Sequence, residues 1–423
     1  MQEPDAVWIS ITATGLAKDQ KVDYKKEDYL INFVFYKISK YMLDKICFTN
    51  YKSFKERQEL ELKPITILIG KNSSGKSSII KLLKMIEQSL NSTNNIPIPF
   101  KHEGVEIGAS EFRDLLYAKR PGALAIELYE KNKTLSLEIA SGNKATDQPK
   151  IIQWNWNNEL ELKYNDLNGK YRDIKKKSES VYSFKGILLN DQLEKIELQT
   201  NYIGPIREVP DRTHNISSYS KKSKLGYKGE ETYQFLIHDY LYNEGKIFKQ
   251  VSDWFQKNFD GCSLQLNNYG APDYKIELTR AEGDYGVNIR DVGQGMIQAL
   301  PIITSAFIDH NEPMLTIIEQ PELHLHPAAH GDIAELLAKN ISKNSSYIIE
   351  THSQNFILRL RRLVAEHKVN YNEIIIYYVE TDKKGSFLKP IKIDKLGKVN
   401  FWPPKIFSES LEEAIAIREA QLA

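Results

Sequence analysis

The feature that most constrains this chain is a glycine-bounded loop between an apolar run and a helical pattern. The run at residues 65–70 is apolar and rich in β-branched residues, and apolar residues after the loop recur at helical spacing. The loop itself is Gly70-Lys71-Asn72-Ser73-Ser74-Gly75-Lys76-Ser77, which fits G-x-x-x-x-G-K-[ST]. A strand before the motif and a helix after it distinguish a phosphate-binding loop (P-loop) from a chance glycine-rich turn.

Each residue type in the loop has a role in binding a nucleotide. Gly70 and Gly75 let backbone N–H groups turn inward around phosphate oxygens, and the following helix points its positive end at the same anion. Lys76 reaches the terminal phosphates, and the hydroxyl of Ser77 ligates Mg²⁺. We therefore expect ATP and Mg²⁺ as cofactors. The expected binding residues of the loop are Asn72, Ser73, Ser74, Gly75, Lys76, Ser77 and Ser78.

Length and composition place the chain among soluble globular proteins. Its 423 residues exceed one typical core, so two or three lobes are expected, and 41% hydrophobic with 27% charged residues fits that class. A net charge of +1 gives no global basic field for nucleic acid, although a local basic groove stays open. Cys47 and Cys262 form no disulfide framework and favour a reducing compartment. With no apolar run of ~20 residues and no signal peptide, we expect a cytoplasmic protein.

The first two thirds of the chain alternate between strand and helix patterns. Residues 123–140 predict a β-hairpin with its turn at residues 131–133. Residues 163–180 are polar and charged, and we interpret them as a solvated loop rather than a nucleic-acid contact. Tyr233 to Phe259 carries an apolar set at helical spacing, and we find no heptad run long enough for a coiled coil.

Three further segments place polar groups where the P-loop could meet them. Residues 314–319 form an apolar run that ends in the carboxylate of Glu319, and residues 347–353 form another that ends near His352. Such strand ends are where parallel α/β sheets keep their sites. A glycine-rich turn at residues 291–298 opens a helix and is a weak anion site on its own. His324 and His326 are turn histidines or a zinc pair, but no cysteine or third histidine in range supports zinc.

The order of these motifs resembles that of ABC-type ATPases, in particular the RecF/SMC-like branch that includes the OLD-family ATPases. The resemblance runs from about residue 43 to residue 365. Its most specific parts are the P-loop at Gly70 to Ser77, which is the Walker A motif, and the run from Glu319 to Pro327. The chain after residue 400 resembles a small tail domain of some of these ATPases. The supporting stretches are Phe48 to Phe54, Gly70 to Ser77, Gly204 to Arg207, Asp291 to Gln298, Glu319 to Pro327, Glu350 to Ser353 and, for the tail, Phe401 to Pro404.

The resemblance implies an α/β fold, an ABC-type ATPase head. We expect a mostly parallel core sheet, an antiparallel β subdomain, a helical subdomain and no long coiled coil. The expected division is an N-terminal extension over 1–41, lobe I over 42–205, an inserted helical and strand arm over 206–290, lobe II over 291–385 and a small tail domain over 386–423.

The resemblance also implies site roles. Asn50, Lys52 and Ser53 would lie near the nucleotide base and phosphates. Glu319 matches the Walker B acid that shares Mg²⁺ with Ser77, and His352 matches the switch histidine that senses the γ-phosphate. His326 lies in the loop that meets the opposite subunit. The signature turn, with Gly293 and Gly295, would cap the ATP held by that subunit, so a homodimer with two sandwiched ATP molecules is implied, with a higher oligomer left open.

Two departures from the family pattern bear on catalysis. The residue after the Walker B acid is normally a glutamate that activates water, and here it is Gln320, which cannot accept a proton. Glu322 is the nearest carboxylate that could substitute. The signature turn lacks the usual hydroxyl, because Met296 and Ile297 follow its glycines. We therefore expect slow turnover, with ATP acting as a long-lived clamp.

Three functions follow as hypotheses. The first is a sensor ATPase that controls a partner effector such as a nuclease or toxin, by the family's association with prokaryotic antiviral defence; too few residues follow residue 365 for an OLD-type nuclease domain. The second is a DNA-repair or DNA-end-binding ATPase. The third is a transporter-like ATPase that serves a membrane partner, which no amphipathic or export feature supports. The cations that would contact DNA are Lys175, Lys176, Lys177, Lys221, Lys222, Lys224, Arg359, Arg361 and Arg362.

Overall fold

The computed structural model describes residues 43–100, 108–142, 148–190, 194–216, 222–268, 272–280, 285–403, 406 and 416–421. The expected extension over 1–41, Lys221 and most of the chain after residue 403 lie outside these residues. The strands are β1 Lys45–Thr49, β2 Gln58–Glu61, β3 Ile65–Gly70, β4 Ala123–Glu130, β5 Lys133–Ala140, β6 Lys150–Trp156, β7 Leu160–Asn165, β8 Lys170–Asp173, β9 Ser178–Ser180, β10 Phe184–Lys185, β11 Leu188–Leu189, β12 Thr200–Ile203, β13 His214–Asn215, β14 Ser263–Asn268, β15 Asp273–Thr279, β16 Val287–Asn288, β17 Met314–Glu319, β18 Ser345–Glu350, β19 Ile374–Asp382 and β20 Gly385–Ile391. The α-helices are α1 Lys76–Leu90, α2 Thr232–Tyr242, α3 Lys246–Asn258, α4 Gln294–Phe307, α5 Pro327–Lys339 and α6 Gln354–Ala365.

The core sheet has six strands in the order β12-β17-β18-β3-β19-β20. All neighbours in it are parallel except β19 and β20, which pair antiparallel. Strands β3, β17 and β18 are buried along their whole length, as expected for parallel strands covered on both faces. This arrangement confirms the predicted mostly parallel core sheet and the predicted strands that end at Gly70 and Glu319, while the strand predicted over residues 347–353 spans Ser345–Glu350 and ends two residues before His352.

Alternate residues of the core strands pack on opposite faces of the sheet. Ile65, Ile67 and Ile69 of β3 belong to one hydrophobic cluster, together with residues of α2 to α6. Leu68 of β3 belongs to the other cluster, with apolar residues of α1 and of the antiparallel sheet. The side-chain period of two along a strand produces this division. The P-loop at the end of β3 is therefore fixed between two packed layers.

The second sheet has eight antiparallel strands in the order β2-β1-β4-β5-β6-β7-β8-β9. It contains the predicted hairpin, since β4 and β5 pair from Ala123↔Ala140 to Glu130↔Lys133. The prediction of a solvated loop over 163–180 is wrong, because the end of β7 and both β8 and β9 lie there. These strands form the polar end of the sheet, and β9 is exposed at every residue, so they carry almost no apolar alternation.

Residues 206–290, predicted as an inserted arm, contain the two helices α2 and α3, where the sequence pattern predicted continuous helix from Tyr233 to Phe259. The helix is interrupted at residues 243–245, where Glu244 and Gly245 have φ of 59° and 63°. Asp239 stabilises the new helix start, since its Oδ2 accepts hydrogen bonds from the backbone N–H groups of Ile247 (2.8 Å) and Phe248 (2.9 Å). A small sheet of β13, β14, β15 and β16 completes the arm.

The longest helix among the described residues is α1, with 15 residues, in agreement with the expected lack of a long coiled coil. No helix in the described part of the chain combines the length and apolar character needed to cross a bilayer.

Candidate nucleotide-binding site

The P-loop joins β3 directly to α1 and has a backbone that only glycine accommodates at its turn. Gly75 has φ of 109°, and a Cβ there would lie 2.7 Å from Ser53 Oγ and 2.9 Å from the Phe54 ring. The loop therefore packs against residues 51–54. Tyr51 strengthens this contact, because its hydroxyl donates to the backbone carbonyl of Ser78 across 3.1 Å.

Lys76 and Ser77 both contact a carboxylate to which the sequence analysis gave no role. The hydroxyl of Ser77 donates to Glu350 Oε2 across 3.0 Å, and Lys76 Nζ lies 3.7 Å from Glu350 Oε1. Lys76 Nζ also donates to the carbonyls of Gly70 (3.0 Å) and Lys71 (2.9 Å). Glu350 is buried at the end of β18, between the P-loop strand and the strand that carries Glu319. It is thus the acid nearest to the P-loop hydroxyl.

Glu319, the expected Walker B acid, lies beside Glu350 rather than against Ser77. The two glutamates are partners in the parallel register of β17 and β18. Glu319 also accepts a hydrogen bond from the hydroxyl of Tyr202. Burial, and then the charge of Glu319, raise the pKa of Glu350 to about 7, against the lowering effect of Lys76. The site therefore contains two adjacent buried carboxylates.

Glu322 supports the turn that carries the expected switch histidine. Its Oε1 accepts from the backbone N–H of His352 (2.6 Å), and its Oε2 accepts from Thr351 Oγ1 (2.8 Å). Burial lowers the pKa of His352, and so does the charge of Lys76, while Glu322 opposes them. The structure thus gives both oxygens of Glu322 a positioning role at the turn that carries His352.

Gln320 begins the loop after β17 in a strained conformation. Its φ is 46°, and its backbone N–H donates to the carbonyl of Glu350 across 2.7 Å. Arg207 is buried against the same turn, where Nη2 donates to the carbonyl of Glu319 at 2.7 Å. Burial lowers the pKa of Arg207 to about 10, although Glu322 and Glu319 raise it. Its Nε and Nη1 have no hydrogen-bond partner among the described residues.

The signature turn lies at the start of α4 and packs against the loop that follows Gln320. A Cβ on Gly295 would lie 2.6 Å from the carbonyl of His324, whereas a Cβ on Gly293 would meet nothing within 4 Å. The backbone at Gly293 is therefore open to another molecule. In the same helix, Gln298 holds both backbone groups of Arg207, at 3.0 Å and 2.9 Å. His326 caps α5, since its Nδ1 accepts from the backbone N–H of Ala328 at 3.3 Å.

The remaining predicted binding residues differ in their hydrogen bonds and in their exposure to solvent. Asn50 donates from Nδ2 to the Ala123 carbonyl (2.8 Å), and Lys52 donates from Nζ to the Gly108 carbonyl (2.6 Å). Burial lowers the pKa of Lys52. Asn72 and Ser73 are exposed on the loop. The hydroxyls of Ser53 and Ser74 are buried and have no hydrogen-bond partner among the described residues.

The residues present fit ATP and Mg²⁺. Two buried hydroxyls without partners among the described residues, at Ser53 and Ser74, adjoin the glycine turn, and hydroxyl donors there suit a phosphate. Ser77 and the two glutamates supply the oxygen donors that Mg²⁺ takes. Sequence reasoning missed Glu350, Tyr202, Arg207 and Gln298. Arg207 and Gln298 lie in stretches that carry the family resemblance, and Glu350 had a further signal, because it ends a buried strand in the same way as Glu319.

Several cations that the DNA hypothesis requires already have partners. Lys224 pairs with the buried Glu87 at 2.8 Å, and Lys222 pairs with Glu231. Arg359 pairs with Asp332 at 2.9 Å and Glu335 at 2.7 Å, and Arg361 donates to the Gly397 carbonyl at 2.9 Å. The cations at residues 175–177 are exposed. This pairing does not favour a DNA-binding surface at these positions.

The fold is that of an ABC-type ATPase head, as predicted. The crystal structure of an SmcHead bound to the C-winged helix domain of ScpA aligns with a TM-score of 0.50 and 15% identity, covering 84% of this chain and 98% of that chain. The chain belongs to the family described as "AAA domain, putative AbiEii toxin, Type IV TA system", whose model matches residues 65–359. Residues 369–415 match a family described only as a protein of unknown function.

Two relatives carry names that refer to nucleotide hydrolysis. The chain is 20% identical over 370 residues to the "Retron Vc95 probable ATPase" of Vibrio cholerae serotype O1 biovar El Tor, covering 74% of this chain and 71% of the relative. It is 21% identical over 352 residues to an "ATP/GTP phosphatase" of Helicobacter pylori, covering 77% and 89%. The predicted resemblance to ABC-type P-loop ATPases is confirmed. The narrower placement beside the OLD family stays a prediction.

Proposed function

We propose that this protein is an ATP-dependent dimerisation switch that hydrolyses ATP slowly and controls a partner effector. One observation carries the proposal. Lys76 and Ser77 of the P-loop contact Glu350, Glu319 lies beside Glu350, and His352 follows Glu350 by two residues. Motifs that are far apart in the chain therefore surround one site.

The chain's own groups would bind the triphosphate. The inward N–H groups of the P-loop and the positive end of α1 attract phosphate oxygens, and Lys76 adds a full charge. Mg²⁺, when bound, would neutralise part of the phosphate charge. The turn that carries His352 follows β18, whose last residue, Glu350, contacts Lys76 and Ser77, so the imidazole of His352 would respond to a terminal phosphate.

The arrangement of carboxylates supports slow turnover. Gln320 can orient water through its amide but cannot remove a proton from it. Glu322 already accepts hydrogen bonds on both oxygens from the turn of His352. We infer that Glu322 positions this turn rather than acting as the base, so that the ATP-bound state is long-lived.

The signature turn supports closure by a second copy. Gly293 starts α4 with an exposed backbone and no atom within 4 Å of where its Cβ would be. Because the N–H groups at a helix start attract anions, this turn suits the phosphate of an ATP held by the partner copy. The resulting dimer would hold two ATP molecules.

The partner effector is a protein such as a nuclease or toxin, in antiviral defence. Two findings support this part of the proposal: the matching family's description names a toxin and a TA system, and one relative is named after a retron. Effector chemistry would then lie outside this chain, which supplies the switch.

Steady-state turnover and nucleotide-dependent capture test the proposal together. We expect the wild-type protein to hydrolyse ATP at well below ~10 s⁻¹, the median for enzymes. We expect it to retain a protein from its native cells when ATP is present, and the Lys76→Ala variant to retain none. Fast turnover would contradict the clamp, and equal capture by both proteins would contradict nucleotide control.

A further inference from the structure

We propose that Glu350 binds the Mg²⁺ of the site directly, together with Ser77, in the position that motif analysis gave to Glu319 alone. The inference rests on the proposed function, because the cation would enter with ATP. It assigns to Glu350 a metal-binding role that the Walker motifs do not specify.

The hydrogen bond between Ser77 and Glu350 is the main evidence. The hydroxyl of the P-loop serine is the group that contacts Mg²⁺ in P-loop proteins, and Glu350 Oε2 lies 3.0 Å from it. Oxygens at that separation can both contact one ion whose bonds are about 2.1 Å long. The carboxylate nearest the expected cation is therefore that of Glu350.

Strand order explains why Glu350 has this position. β18 lies between β17 and β3, so Glu350 is one strand from the P-loop strand and Glu319 is two strands away. Neighbouring strands are about 4.8 Å apart. Glu350 also lies level with Glu319 on one side and Leu68 on the other. Glu350 therefore lies between Glu319 and the strand that leads into the P-loop.

The balance of charge in the site also favours a cation. Glu319 and Glu350 are both buried; Lys76 lies 3.7 Å from Glu350, and the buried Arg207 donates to the backbone carbonyl of Glu319. Two adjacent buried carboxylates are costly unless positive charge offsets them. Lys76 is needed by the phosphates as well, so a divalent cation would supply the missing charge. The buried hydroxyl of Ser74, unpartnered among the described residues, independently indicates a ligand in the same loop.

A purely structural role for Glu350 predicts a different outcome. Glu350 could serve only to hold Lys76 and Ser77 in place for the phosphates. Its loss would then weaken ATP binding in the absence of metal and leave the affinity for the metal unchanged. Metal affinity and metal-free ATP affinity must therefore be measured separately.

The test uses Mn²⁺ in place of Mg²⁺, with the full-length chain. Electron paramagnetic resonance measures Mn²⁺ binding at saturating ATP, and equilibrium dialysis measures ATP binding in EDTA. The variants are Glu350→Gln, Ser77→Ala and the double variant. Glu87→Gln is the matched control, because Glu87 is also a buried carboxylate with cationic partners but lies outside the site.

We expect Glu350→Gln to weaken Mn²⁺ binding at least ~10-fold. ATP binding in EDTA should stay within about threefold of wild type, and the double variant should bind Mn²⁺ more weakly than either single variant, because each group supplies its own oxygen to the ion. Glu87→Gln should match wild type. Wild-type Mn²⁺ affinity in Glu350→Gln would overturn the proposal. If the wild-type protein bound no ATP in either condition, the proposed function itself would fail.

Discussion

The guanidinium of Arg207 donates from Nη2 to the backbone carbonyl of Glu319 across 2.7 Å. Gln298, in the helix that follows the signature turn, holds the backbone N–H and carbonyl of the same arginine. A continuous set of hydrogen bonds therefore joins the signature helix to the end of the Walker B strand. Through these hydrogen bonds, a shift of the signature turn can change the position of the turn that contains Gln320.

We predict that Gln298→Leu will separate ATP binding from hydrolysis. The substitution keeps the size of the side chain but leaves two buried backbone groups of Arg207 unpaired, which costs about 1–3 kcal/mol. Turnover should fall severalfold because the Gln320 turn is less well held, while ATP affinity should change less than about threefold. Steady-state kinetics and equilibrium dialysis measure the two quantities.

Gln88→Leu is the control for that change. Gln88 is buried in α1, and neither polar atom of its side chain has a partner among the described residues, so the substitution should be neutral or stabilising. Equal losses of turnover in both variants would show that the effect at Gln298 is not specific to the Arg207 contacts.

We predict opposite outcomes for alanine at two glycines of the site. Gly75→Ala forces a Cβ to within 2.7 Å of Ser53 Oγ at φ of 109°, so it should destabilise the loop by about 1–3 kcal/mol and abolish ATP binding. Gly293 has φ of −58° and no atom within 4 Å of where a Cβ would lie, so the melting temperature of Gly293→Ala should stay near that of wild type. It should nevertheless weaken ATP-dependent dimerisation. Loss of folding in Gly293→Ala would contradict the assignment of an open signature turn.

We predict that Glu350→Gln stabilises the nucleotide-free protein increasingly as pH rises from about 4.5 to 7. The folded-state pKa of Glu350, about 7, lies above the value of about 4.3 in an unfolded chain. In that window the folded protein keeps a proton that the unfolded chain has lost, so wild-type stability falls with rising pH. Glutamine does not titrate, and its amide can donate to Glu319.

Thermal unfolding in EDTA at pH 5 and pH 8 measures this difference. The melting temperature of Glu350→Gln relative to wild type should be several degrees higher at pH 8 than at pH 5. A difference that does not change with pH would mean that Glu350 is ionised throughout, and would contradict the raised pKa.

Motifs located the parts of the site that are local in sequence. The P-loop, Glu319 and His352 each end or follow an apolar run, and strand ends on one edge of a parallel sheet come together. Arg207, Tyr202 and Gln298 act through partners about a hundred residues away, so no local pattern indicated these contacts. Glu350 was visible as a strand-end acid, but its contact with Ser77 depends on strand order, which the sequence does not state.

The errors in the predicted fold also arise where the local apolar pattern does not reflect the structure. β8 and β9 extend the antiparallel sheet by backbone pairing while β9 exposes every side chain, so their sequence lacks an apolar face. The break between α2 and α3 was marked by Gly245 and by Asp239, a helix-capping residue, but the apolar pattern continued across it.

The central claim is that one triphosphate, bound at Lys76 and Ser77, is enclosed by a second copy of this chain. Multi-angle light scattering with and without Mg²⁺ and ATP tests it most directly. The account predicts that ATP doubles the mass of the wild-type particle, from 48.8 kDa if it begins as a monomer, leaves the mass of Lys76→Ala unchanged, and raises the mass of Gly293→Ala less than that of wild type. A wild-type mass that does not respond to ATP, or a doubling that persists in Lys76→Ala, would contradict it.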